Sequence, residues 1–104
     1  MIDTTYQSAE IVQVPAYCMA IAQFAKIADW AGAEQVADKL AAAWFGARAS
    51  GLRGMSGRAI ATTIDGTINW ITVAIGRRDI LATLRASRAL SLEIGPILGR
   101  IAVA

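Results

Sequence analysis

Between Arg58 and Arg78 the isoleucines recur at helical spacing. Ile60, Ile64, Ile68, Ile71 and Ile75 fall on one stripe, whereas Thr62, Asp65, Gly66, Asn69, Thr72 and Gly76 gather on the opposite side. This pattern predicts an amphipathic helix. A competing signal lies in the same residues. Asp65-Gly66 is a preferred dipeptide for a two-residue hairpin turn, and the flanking Thr, Ile, Val and Trp residues favour strands. The helix fits better because Thr67 to Ile75 alternates poorly. As a strand it would place Ile68 and Trp70 on one face and Ile71, Val73 and Ile75 on the other.

Upstream, Ala9 to Val14 reads as an edge strand or an extended arm, and Pro15 opens a helix whose inward face is Tyr17, Ala20, Ile21, Phe24, Ile27, Ala28 and Ala31. Gly32 is expected to cap it. A second helix runs from Ala33 to Ala49, with Ala33, Val36, Ala37, Leu40, Ala43, Trp44 and Ala47 inward. Its wet side carries Glu34, Gln35, Asp38 and Lys39, and Glu34 falls in the expected first turn. The short join makes these two an antiparallel hairpin. Phe45 lies outside the stripe and is a candidate surface contact.

Downstream, Asp79 caps a helix ending near Ala89, with Ile80, Leu81, Leu84 and Ser87 facing inward. Arg85 and Arg88, near its expected C-terminus, suit the helix dipole there. Leu90 to Ile94 alternates like a strand, Gly95-Pro96 breaks the chain, and Ile97 begins a last apolar piece. The chain 1–104 reads as a single domain with a Gly-rich connection at 50–57. Its fold class is mainly α, a small bundle of four to five helices. The alternative is α+β, with hairpins at Asp65-Gly66 and Gly95-Pro96. No internal repeat stands out.

Composition sharpens the functional reading. Of 104 residues, 56% are hydrophobic and 17% charged, which leaves little charge to cover a surface and directs apolar faces toward partners. The net charge of +2 is unevenly distributed. Met1 to Gly46 sets five acids against Lys26 and Lys39, net −3, and Ala47 to Ala104 sets eight arginines against Asp65, Asp79 and Glu93, net +5. Such asymmetry can steer an acidic half onto a basic half, within one chain or head-to-tail between copies.

With no histidine and one cysteine, the chain lacks Cys/His zinc clusters, histidine-dependent triads and an internal disulfide. Cys18, in an apolar run, is expected to be a small buried side chain, and a reducing cytoplasm is the expected location. A secretory leader is not expected, because no basic start precedes an apolar core. A membrane span is not expected either. Residues 59–76 approach the required length, but Asp65 would lie near the bilayer centre. No two carboxylates stand in an acid/base relation, so no enzyme, cofactor or metal site is assigned.

Nine residues remain as interface or ligand candidates. Arg53 and Arg58 flank the glycines of the connection, which lacks the Lys-Ser/Thr ending of a phosphate loop. Asp65, the one acid in its stretch, is expected at an exposed position, with a pairing to Arg53, Arg58, Arg77 or Arg78 as the sharper reading. Trp30, Trp44 and Trp70 are expected to share an aromatic cluster. The ninefold candidate set is completed by Phe45, Trp70, Arg77, Arg78, Arg85 and Arg88. The leading functional expectation is a non-enzymatic homo-oligomer, a structural or adaptor protein that suits a viral or mobile-element particle. The first alternative is an Arg-mediated binder or inhibitor of nucleic acid or of a nucleic-acid enzyme. The second is a small membrane protein built on 59–76.

Overall fold

The computed structural model describes residues 11–47 and 58–103, with side chains of the second stretch from Ile60 to Leu98. Four helices account for these residues: α1 (Val14–Lys26), α2 (Trp30–Ala47), α3 (Arg58–Gly76) and α4 (Ile80–Val103). No strand occurs among them, so the α+β alternative is overturned. The connection at 50–57 and Arg53 lie outside the described residues.

Two nearly identical turns build the bundle from two helical hairpins. In the first, α1 ends at Ile27 and Ala28 takes a left-handed conformation (φ 58°). The amide of Ala28 donates to the Ala25 carbonyl and that of Asp29 to the Phe24 carbonyl, which closes the last turn as a Schellman motif. Asp29 then starts α2 by accepting the Gly32 amide at 3.0 Å. The second turn repeats each step. Arg78 is left-handed (φ 54°), Arg78 and Asp79 donate to Ile75 and Ala74, and Asp79 accepts the Ala82 amide at 3.0 Å. Gly32 is therefore not the cap of α1. It lies in the first turn of α2, where a Cβ would come 2.9 Å from the Phe24 ring.

Shifting the first hairpin by fifty positions, so that Asp29 falls on Asp79, aligns the buried positions of the two halves. Val14 matches Ile64, Cys18 Ile68, Ile21 Ile71, Ala25 Ile75, Ala33 Thr83, Ala37 Ser87, Leu40 Leu90 and Trp44 Ile94. The fold is thus a tandem repeat at the level of burial, although few residues are identical in the two halves. Side-chain volumes differ between halves, as with Phe24 over Gly32 in one turn, whose counterparts in the other are Ala74 and Ala82. Ser87 is the one described buried polar side chain whose hydroxyl lacks a hydrogen-bond partner, and its counterpart is Ala37.

One core joins all four helices, with Trp44, Ile21, Leu40, Ile64, Ile71, Leu90 and Ile94 among its fully buried members. Around it α1 packs on α2 and α4, α3 packs on α4, and α2 touches α3 more sparingly. Helices α2 and α4 consequently stand at opposite corners.

The predicted α2 stripe is buried throughout except for half-buried Val36, and in α3 only Ile60 of the isoleucine stripe is exposed. Two ends differ from expectation. Ile11 and Val12 are already helical, which removes the strand or arm reading for that part, and Ile11 and Val14 are buried. Helix α4 runs through Gly95 and Pro96 instead of breaking. Pro96 is exposed, on the side of α4 turned away from the core, while Leu90, Ile94 and Ile97 keep one stripe in the core across it. That longer stripe also sets the rotation of α4. Thr83, Ala86 and Ser87 face inward, whereas Ile80 and Leu81, expected inside, are exposed. No helix among the described residues is long and apolar enough to cross a membrane.

Candidate interaction surface

The acids and donors of the interior explain part of the charge pattern. Asp65, on the flank of α3 nearest α2, is half-buried and accepts the Trp44 indole N–H at 2.8 Å. The expectation of an exposed Asp65 is corrected, because the indole of a fully buried tryptophan needs an acceptor and this carboxylate supplies it. Arg77 and Arg78 follow the end of α3, which puts about 18 Å of helix axis at 1.5 Å per residue between them and Asp65, so neither reaches Asp65 within the chain. On the other flank of α3, the Thr67 hydroxyl sits 2.7 Å from Glu93 Oε1 and 3.0 Å from the Thr63 carbonyl. Its single proton favours the charged, nearer acceptor. These two contacts tie α3 to α2 and to α4.

The tryptophans do not form one cluster. Trp44 is buried and Trp30 half-buried against the core, but Trp70 projects from the outer side of α3 with 43% of its surface exposed. Phe45 is exposed on α2, as its place outside the stripe suggested. Arg77 and Arg78 are exposed at the tip of the second hairpin, where the left-handed backbone of Arg78 makes the turn. Arg58 is the first residue of α3, and its side chain lies outside the described set.

Arg85 and Arg88 require a new explanation. Both are exposed, but α4 continues to Val103, which places them in its second and third turns rather than beside its C-terminal carbonyls. The dipole therefore does not account for them. Glu34 is displaced in the same way: helix α2 begins at Trp30, so Glu34, like Asp38, lies beyond its first turn. Sequence reasoning also missed the exposure of Leu81 and Leu92, which bracket the two arginines. The spacing of four, three and four residues through Leu81, Arg85, Arg88 and Leu92 was the available signal.

Burial pushes the Cys18 thiol up from 9.0 to about 12, so it stays neutral and unreactive in the folded chain. No group of described residues has the composition of a metal site. No known protein family, curated protein or solved structure matches the chain.

Proposed function

We propose that the chain is a non-enzymatic, self-associating structural or adaptor subunit that works by burying outer helix faces against other copies. The reading is supported by large apolar side chains held in water on several helices of a chain with few charges. Met19, Ile27, Leu81 and Leu92 are 65, 72, 56 and 70% exposed, and Phe45 and Trp70 add aromatic surface. Full burial of such a side chain is worth about 1.5 to 3 kcal/mol, so several recovered together can offset the entropy of association. Gly66 and Gly76 lie on the outer side of α3 with open space where a Cβ would sit, which permits close approach. The test is molecular mass by light scattering across a dilution series without detergent. A mass that is a multiple of 11.0 kDa and falls on dilution is expected, and 11.0 kDa at every concentration would contradict the proposal.

A second reading rests on the exposed arginines. Arg77 and Arg78 at the hairpin tip, with Arg85 and Arg88 further along α4, offer guanidinium groups for phosphate. It predicts a DNA or RNA mobility shift that weakens steeply with salt. No shift at low salt would remove it.

A further inference from the structure

The outer faces of α2 and α4 carry related patterns of opposite charge and different size. On α4 the exposed stripe is Leu81, Arg85, Arg88 and Leu92, and on α2 the exposed face carries Ala31, Glu34, Asp38 and Ala42, with Gln35 and Lys39 along one edge, so that it remains net acidic. Each spans twelve residues, about 17 Å of helix from first to last. Leucines bracket the two cations and alanines bracket the two anions, so a large end meets a small one whichever way the helices run. Phe45 extends the apolar part of the α2 face one turn further.

Neither charge pair is explained by its own helix dipole, as shown above. Each also sets like charges three or four residues apart, which weakens the helix that carries it. A partner of opposite charge would relieve both. The two faces cannot meet within one molecule, because α2 and α4 occupy opposite corners of the bundle and their outer faces point apart.

We infer that the α4 face bearing Arg85 and Arg88 docks on the α2 face bearing Glu34 and Asp38 of a second copy. The inference rests on the self-association reading and specifies its surface. Because the two faces differ, the contact is head-to-tail, and repetition closes a ring or extends a filament.

Charge exchange tests it. One variant carries Arg85→Glu and Arg88→Glu, so that both outer faces are acidic. The other carries Glu34→Arg and Asp38→Arg, so that both are basic. Each alone, with native helical circular dichroism, is expected to run at 11.0 kDa, and an equimolar mixture is expected to regain the mass of the native protein. If reversal unfolds the chain, Arg85→Gln with Arg88→Gln removes the charges more mildly and is expected to weaken self-association at least about tenfold. Native mass in each separate variant, an unrestored mixture of folded variants, or unchanged affinity in the Gln variant would overturn the α2–α4 contact while leaving self-association standing. A native protein that is monomeric throughout would instead remove the underlying reading.

Discussion

Asp65 and Trp44 meet because a buried indole must place its N–H somewhere, and α3 presents a carboxylate 2.8 Å away. Replacing Asp65 with alanine leaves that donor unpaired, and the expected loss is about 1 to 3 kcal/mol by urea denaturation. Asp65→Asn, which keeps an acceptor, is expected to lose less. Equal stability of the alanine variant and the native chain would show that the contact contributes nothing. Cys18 makes a pH-dependent prediction. The unfolded chain ionises this thiol near 9.0, whereas the folded chain holds it neutral to about 12. The unfolded state thus binds fewer protons across that interval, and stability falls there by up to about 1.4 kcal/mol per pH unit. Compared with Cys18→Ala, the native chain should lose its relative advantage only above pH 9.0. A constant difference on both sides would contradict the assignment. The sequence marked both residues as unusual, since one acid in an uncharged run and one cysteine in an apolar run are visible by inspection. It could not supply Asp65's partner, which is 21 positions away on another helix.

At the scale of elements, the inward stripes of α2 and α3 were legible because each has a long, uniform apolar period. The rotation of α4 was not, because Gly95-Pro96 reads locally as a break, and only the core contacts of Ile94 and Ile97 carry the helix past it. Nor was the repeat visible. It is conserved in burial and turn geometry, while the side chains that fill equivalent places differ in size. The turn between α1 and α2 shows how such exchanges compensate. Gly32→Ala would ordinarily gain up to about 1 kcal/mol in helix propensity, but its Cβ would meet the Phe24 ring at 2.9 Å. The expected net effect is a loss of about 1 kcal/mol, since overpacking costs about 1 to 3 kcal/mol. In a Phe24→Ala background, which reproduces the smaller pairing of the second turn, the same change should become stabilising. Additive effects in thermal melts of the four proteins would refute this coupling.

Across the whole molecule, the sequence's division into an acidic and a basic half becomes a spatial one. The anions Glu34 and Asp38 face outward from one corner of the bundle and the cations Arg85 and Arg88 from the opposite corner, with Leu81 and Leu92 beside the latter. Charge asymmetry was legible from composition, but its separation onto opposing faces depends on how the hairpins pack. A monomer leaves both faces in water, whereas a chain of copies covers one with the other. Charge would orient that contact and apolar burial would hold it, so salt should loosen the assembly without abolishing it. The most direct measurement is the mass of the native protein by sedimentation equilibrium at low and high salt, without detergent. The account predicts a multimer of the 11.0-kDa chain whose dissociation constant rises with salt, and a monomer under both conditions would contradict it.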